Sequence, residues 1–380
     1  MSQYQAPGVY TKINSSGNKP LESCGSSTAA FVGLSTQGAI NKATLVTTWA
    51  QFQKEFGTSA EAGNLAHAVY GFFLNGGSRA FVVNVGTPTP EQTEDDVAAL
   101  IQGQDLGPKR RTGLHTLTDV SDVAMVAAPG FTSNTIHTIV SDYCTSRGDR
   151  MAILDGVKDL GETQLHEFPR IGSQPDAAMY WPWIHVFDEK SRSKVCVPPS
   201  GHVCGVIARV DSDRGVHKPP ANEVIRGALG LEYVLSREEH ALFNPRGINI
   251  IRNLDADGIR VYGARTLSSD PEWKYLNVRR LFKVIQKSIQ KGTEWVVFEP
   301  NNEKLWSIIT RNISNYLKTL FTSGALVGST PEEAFYVRCD KSTNPPENVD
   351  LGIVTVEIGV APVKPAEFVQ INIQQKSEKE

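Results

Sequence analysis

Gly352-Ile353-Val354-Thr355-Val356-Glu357-Ile358-Gly359-Val360 is the stretch around which the rest of the chain reads. Apolar side chains at Val354, Val356, Ile358 and Val360 alternate with Thr355, Glu357 and Gly359. That period of two marks a strand with one face buried. Pro362 and Pro365 lack N–H donors, so the chain after Val360 reads as a stiff, extended joint. Beyond it Val369, Ile371 and Ile373 alternate with Gln370 and Asn372 as a second strand, followed by a polar tail from Gln374 to Glu380. A strand hung on a proline joint can pair within its own domain or complete a neighbour's sheet. The pattern by itself leaves both open.

At 380 residues the chain exceeds one ordinary core, and two domains are expected. Apolar residues make up 40% and charged residues 21%, the composition of a soluble globular protein. No apolar run approaches the roughly 20 residues a membrane helix needs, so no direct membrane insertion is expected. Met1-Ser2-Gln3-Tyr4-Gln5-Ala6-Pro7 has neither the basic flank nor the apolar core of a secretory signal. A net charge of −3 argues against a general nucleic-acid partner. Cys24, Cys144, Cys196, Cys204 and Cys339 are odd in number and form no repeated Cys-x-x-Cys. They predict reduced thiols in a protein synthesised in the cytoplasm.

Near the start, Val9, Thr11 and Ile13 alternate with Tyr10 and Lys12 in a short strand, and Asn14 to Pro20 reads as a turn or linker. A frayed end is the plainer account of such a stretch. Ala29 to Leu34 and Phe81 to Val85 predict buried strands. Thr48 and Gly57 bracket a short helix as cap and stop. A second helix carries Leu65, Val69 and Phe72-Phe73 on one face, and Thr87 to Gly113 reads as a loop with one surface helix. Strands at Val123–Ala128 and Met151–Asp155 bracket a helix around Thr135–Ser146, which predicts a partly parallel sheet. A mixed α/β fold follows. Such a unit raises the question of nucleotide binding, but neither a Gly-x-Gly-x-x-Gly after a strand nor a phosphate loop ending in Gly-Lys-Ser/Thr occurs.

One group has a chemical look: His185, Cys196, His202, Cys204 and His217. Structural zinc usually takes closely spaced cysteine pairs, and Cys196 and Cys204 are too far apart for that. Cys204 also sits in the apolar run Val203-Cys204-Gly205-Val206-Ile207, where a buried thiol acts as a small hydrophobe. No metal or cofactor is expected, and nothing marks an activated nucleophile.

Toward the end, Leu276 to Lys291 carries the helical stripe Val278, Leu281, Phe282, Ile285 and Ile289, with Gly292 as its expected end. A second helix starts after Pro300, capped by Asn301 or Asn302 and closed by Gly324. Its apolar face is Leu305, Ile309, Ile313, Tyr316 and Leu320. At about 100° per residue, Lys304, Arg311 and Lys318 line up on the opposite face. Between Lys274 and Lys318 nine basic residues stand against three acidic ones. A solvated helix face is the plainer account of such a run.

Several long strings resemble one family in order along the chain. They include Pro7-Gly8-Val9-Tyr10, Gly71-Phe72-Phe73-Leu74-Asn75-Gly76-Gly77, Tyr180-Trp181-Pro182-Trp183, Val197-Pro198-Pro199-Ser200-Gly201-His202 and Arg209-Val210-Asp211-Ser212-Asp213-Arg214-Gly215-Val216. Asn244-Pro245-Arg246-Gly247-Ile248-Asn249, Gly263-Ala264-Arg265-Thr266-Leu267 and the C-terminal run Thr355 to Val369 continue it. The chain resembles contractile tail-sheath proteins, which form the sheath of contractile phage tails, tailocins and extracellular injection particles. The resemblance covers most of the chain outside roughly Thr87–Leu117.

The resemblance implies a two-domain tail-sheath fold. Residues 1–24 would be an N-terminal arm strand of an inner domain, 25–264 an inserted outer domain, 265–350 the tube-facing inner domain, and 351–380 C-terminal arm strands with a polar tail. It implies strand exchange between subunits through Val9, Tyr10, Thr11 and Ile13 at one end. At the other end the strands would be Val354, Val356, Ile358 and Val360, then Val369, Ile371 and Ile373. Lys304, Arg311 and Lys318 would face an inner tube, a role assigned by charge and periodicity rather than by a motif. The implied partners are further copies in hexameric rings, the tube protein, and baseplate and terminator proteins of a phage-tail-like particle. The implied function is structural, with no catalysis. An α/β enzyme using the Cys/His group and a passive shell protein are the alternatives.

Overall fold

The segments Ala29–Gly33, Met125–Ala127, Met151–Asp155 and Ala177–Trp181 carry apolar side chains at consecutive positions, the pattern of strands covered on both faces. The computed structural model describes residues 21–160, 172–254 and 257–367. In chain order its large body contains β1 (Ala29–Gly33), β2 (Thr44–Val46), α1 (Trp49–Phe56), α2 (Ser59–Leu74), β3 (Ala80–Asn84), α3 (Glu94–Gln102), β4 (Met125–Ala127), α4 (Asn134–Arg147) and β5 (Met151–Asp155). Then follow β6 (Ala177–Trp181), β7 (Ile184–Asp188), β8 (Ser193–Val197), α5 (Ser200–Arg214), β9 (Glu223–Val224), β10 (Ala228–Leu231), α6 (Arg237–Phe243), β11 (Ile248–Asn253) and β12 (Ile259–Val261). One sheet runs β2-β3-β1-β4-β5-β6-β11-β12-β9, and a smaller one runs β10-β7-β8. The strands from β3 to β11 are parallel, with antiparallel neighbours at both ends. The expected strand–helix–strand unit is β4-α4-β5, with its two strands paired in parallel.

Each face of this sheet has its own core. On β1, Ala29 and Phe31 pack with Phe52 of α1, Leu65 of α2 and Val203 of α5. Ala30 and Val32 pack with Ile101 of α3 and Val140 of α4 on the other side. Helices α2 and α5 lie very close. A Cβ at Gly201 would fall 2.3 Å from the Ala68 Cα, and one at Gly205 would fall 2.5 Å from the Phe72 carbonyl oxygen. Any larger residue there would push the helices apart.

The small body contains α7 (Leu276–Thr293), α8 (Glu303–Thr322), α9 (Pro331–Ala334), β13 (Phe335–Arg338), α10 (Pro346–Asp350) and β14 (Glu357–Val360). Its core joins Leu281 and Ile285 of α7 to Leu305, Ile309, Ile313 and Leu317 of α8. Helix α8 is capped as expected: the Leu305 N–H donates to Asn302 Oδ1 at 3.1 Å, and Gly324 follows with φ +79°. Helix α7 also reaches the large body, since Leu276 belongs to the core under the sheet.

Three expectations are corrected here. Gly292 does not end α7, which runs on to Thr293 and into a 3-10 turn at Glu294–Val296. Glycine there makes room for Leu21, because a Cβ would lie 1.8 Å from Leu21 Cδ2 and force that side chain to move. The strand expected from Val354 starts only at Glu357. Asn344 takes the backbone that would have paired, accepting from Thr355 N–H at 2.6 Å and donating to the Thr355 carbonyl at 3.0 Å. Finally, β4 is shorter than the expected Val123–Ala128. The strands expected at Val9–Ile13 and Val369–Ile373 lie outside the described residues.

Buried polar groups in the large body set its response to acid. His202, 1% exposed, has no hydrogen-bond partner on either ring nitrogen. Burial lowers its pKa from 6.5 to about 3, and that of His137 to about 4. Each histidine therefore takes up its proton only on unfolding, so its contribution is complete above pH 6.5 and fades as pH falls. Burial raises Asp155 from 3.8 to about 6, which acts in the opposite sense between those values. Two histidines outweigh one carboxyl, giving a net loss of up to about 1.4 kcal/mol per pH unit from pH 6 toward pH 4. His202→Met should flatten this slope in urea titrations run at several pH values. Parallel pH curves for the two proteins would contradict the assignment.

Candidate assembly interfaces

Helix α7 carries an apolar stripe toward the small body and a row of cations toward the large one. Arg279 Nε donates to Asp176 Oδ1 at 2.7 Å, and Lys283 Nζ reaches the same oxygen at 2.7 Å. Arg280 Nη1 donates to Asp211 Oδ1 at 2.8 Å, and its Nη2 contacts the other oxygen. Lys287 lies 3.7 Å from Asp149. The Arg280 and Asp211 side chains are 3% and 5% exposed, so neither charge could be removed from water without the other. Burial disfavours charge on Asp176, yet Arg279 and Lys283 hold its carboxyl below the ordinary range. The solvated face expected for this helix is thus corrected for α7, where four cations cross-link two bodies.

The chain leading into β1 follows the same helix. A Cβ at Gly292 would meet Leu21, Cys24 N–H donates to Ser288 Oγ at 2.8 Å, and the Ser26 carbonyl accepts from Arg280 Nη2 at 3.0 Å. Residues 21–26 therefore run antiparallel along α7.

At the other terminus β14 pairs antiparallel with β13 of the same chain, Phe335 opposite Val360 and Arg338 opposite Glu357. Ile358 and Val360 lie in this ladder, while Val354 and Val356 lie ahead of it, and all four are partly buried against the small-body core. Neither strand has a second strand partner among the described residues. The pair is therefore a two-stranded ribbon with two outer edges, a form that is marginal alone and open to added strands.

Lys304, Arg311 and Lys318 are all exposed on α8, opposite Leu305, Ile309 and Ile313. The Cys/His group is dispersed. His185 and Cys196 face each other across β7 and β8, whereas His202 and Cys204 are buried in α5 and His217 lies beyond it. Burial raises the Cys204 thiol far above its ordinary value and Cys196 to about 11, the opposite of what a nucleophile needs. Among the described residues no three His, Cys, Asp or Glu side chains gather as a metal site would require.

Sequence reading missed Asp176, Asp211, Asp149 and Glu367. Asp211 sat within a recognised string that did not mark its partner, and the trace of the seam as a whole was Arg280, Lys283 and Lys287 recurring on one side of α7, which a solvated helix also shows. Glu367 sat within a recognised string, but nothing local marked its partner.

Comparison with known proteins agrees with this architecture. Residues 113–267 match the family described as phage tail sheath protein central domain, and residues 268–376 match the phage tail sheath C-terminal domain. A prophage major tail sheath protein of Pseudomonas aeruginosa (strain UCBPP-PA14) is 26% identical over 299 residues, spanning 76% of this chain and 75% of that protein. The tail sheath protein of Escherichia phage P2 is 22% identical over 346 residues, spanning 86% and 83%. Among solved structures, the contracted PVC sheath of an extracellular contractile injection system is 29% identical with a TM-score of 0.80, covering 99% of each chain. The contracted helical sheath of the anti-feeding prophage is 27% identical with a TM-score of 0.77, covering 98% of this chain and all of that one.

The seam on α7 makes unequal demands on its acids. Asp211→Asn would leave Arg280 buried without its counter-charge and should cost about 3–5 kcal/mol. Asp149 depends less on the seam, because it also pairs with Arg150: Lys287→Met, which removes only the longer and more exposed contact, should cost no more than about 1 kcal/mol. Denaturant unfolding of both variants checks the ranking, and equal losses would refute it.

Proposed function

The chain belongs to the contractile tail-sheath family as a structural sheath subunit, and we propose that its copies stack as hexameric rings around an inner tube. The observation that carries this reading is the near end-to-end likeness to sheaths of contractile injection particles. Contraction of the stacked rings would drive the tube through a target envelope. Two packings of one subunit, separated by a free-energy gap and a barrier, are the physical requirement. No hydrolysis by the chain is needed, and none is proposed.

We assign the division of labour as follows. Residues 25–264 form an outer domain inserted between an N-terminal arm (1–24) and an inner domain (265–350) followed by a C-terminal arm (351–380). Subunits exchange strands centred on Val9–Ile13 and on 354–360 with 369–373. The two open edges of the β13–β14 ribbon support this, since added strands would complete a sheet that is too small alone. Baseplate and terminator proteins close the two ends of the sheath. Synthesis is cytoplasmic, and assembly places the protein in a phage-tail-like particle.

The tube-facing surface is assigned to Lys304, Arg311 and Lys318. Their exposure on one side of α8 supports it, because exposed cations can meet an acidic partner at little cost to the fold. Reversing all three to Glu should change stability by within about 0.5 kcal/mol per site. Each exposed pair contributes only about 0.2–1 kcal/mol, but every ring repeats the face, so the losses multiply along the sheath. The variant should form few extended sheaths on tubes, while tube-free contracted sheath forms normally. Electron microscopy of both assemblies decides this; extended particles in normal number would move the tube contact to another face.

A further inference from the structure

After β14 the chain is handed from one body to the other. Ala361 N–H donates to the Ala334 carbonyl at 2.9 Å and Val363 N–H to the Ala325 carbonyl at 3.2 Å, both in the small body. Asn277 Nδ2, in the first turn of α7, then donates to the Val363 carbonyl at 3.2 Å. Lys364 and Ala366 are exposed, so no core side chain holds the next stretch. Glu367 does, and it holds on to the large body.

Four side chains converge on that carboxylate. Arg265 grips it bidentately, Nε to Oε1 at 2.6 Å and Nη2 to Oε2 at 2.6 Å. Tyr275 Oη donates at 3.2 Å, Asn244 Nδ2 at 3.2 Å, and Lys274 Nζ stands 3.7 Å away. Arg265 is itself fixed in place. Its N–H donates to Asn249 Oδ1 at 2.7 Å and its carbonyl accepts from Asn249 Nδ2 at 2.8 Å, while Nη1 donates to the Asn244 carbonyl at 2.7 Å. Asn249 lies in β11, 1% exposed. With its backbone tied to Asn249 and its guanidinium to the Asn244 carbonyl, Arg265 presents a socket of defined position, and bidentate geometry adds direction to attraction.

We propose that Glu367 seated on Arg265 is the anchor of the C-terminal arm. It ties the chain to the large body of its own subunit at the point where residues 368–380 go on to engage a second copy. The inference rests on the strand-exchange reading above. An arm linking two subunits positions its partner only if its near end is fixed. Pro362 and Pro365 stiffen the approach but supply no donors, so location falls to the carboxylate. The sheet cores hold the body together without it, which makes Glu367 a positioning residue for assembly and not a core element.

The test compares Glu367→Gln, Arg265→Lys and a deletion of residues 368–380 with the full chain. Gln keeps the shape of Glu367 without its charge, and Lys keeps the charge of Arg265 without the fork. For both point variants the unassembled protein should melt within about 2–4 °C of the original. Subunit association should weaken by at least about tenfold, as loss of one charge-assisted contact implies, seen as shorter sheaths that fall apart at lower salt. Point variants assembling as the original does, while the deletion fails, would overturn the anchor and leave strand exchange standing. A deletion that assembles normally would overturn strand exchange for this arm, and the anchor with it. A melting temperature falling far beyond that range would show that Glu367 serves the fold, which also overturns the proposal.

Discussion

Everything in this subunit depends on one helix facing two ways. Leu281 and Ile285 of α7 belong to the small-body core, whereas Arg279, Arg280, Lys283 and Lys287 reach the large body. The apolar side supplies stability, at about 1.5–3 kcal/mol for each large side chain fully buried. The cationic side supplies little net stability, because removing charges from water offsets most of the attraction between them. What it supplies is register. An apolar stripe can slide or roll by a few degrees at small cost, but Arg280 can sit only where Asp211 is, and Lys283 only where Asp176 is. Residues 21–26 then lie along the same helix, so the position of α7 also decides where the N-terminal segment runs.

Local pattern exposed those parts of the fold that local forces decide. Thr48 and Gly57 bound α1, and Asn302 and Gly324 bound α8, because caps act within a turn of the helix they end. The parallel unit β4-α4-β5 was legible because apolar runs of strand length flanked one of helical period. The seam was not legible. Asp176 and Asp211 lie 103 and 69 residues from their partners, and a basic stripe reads the same in sequence whether it meets water or an acid. Gly292 and the run from Val354 failed for a related reason. Leu21 and Asn344 decide those two points, and neither belongs to the pattern that was read.

The group with a chemical look shows the same limit from the other side. His202 and Cys204 stand close in sequence and share α5, but a sheet covered by helices on both faces makes both of them interior side chains. Once buried, the imidazole is a poor proton acceptor, and the thiol resists the thiolate form that a nucleophile or a metal ligand needs. The close approach of α2 and α5 over Gly201 and Gly205 accounts for this composition better than chemistry does. Small residues set the spacing, and His202 fills what remains.

A sheath subunit must change its neighbours without changing itself, and the strengths of its contacts are ordered for that. Three cores and a buried seam resist rearrangement, since opening the seam would strand charges in a dry interior. The termini are tied more lightly. The β13–β14 ribbon is four residue pairs long with an exposed Arg338–Glu357 contact, and the segment after it is held chiefly by scattered backbone bonds and one carboxylate. A lattice that rearranges as a whole concentrates its motion where contacts are weakest, and here those contacts lie at the chain ends that would join one copy to the next. A small free-energy difference per subunit at those joints, repeated around each ring and along the stack, adds to a large one for the sheath. Stiff bodies on lightly tied, well-aimed arms would allow that sum to be released as movement between subunits and not dissipated as unfolding within them.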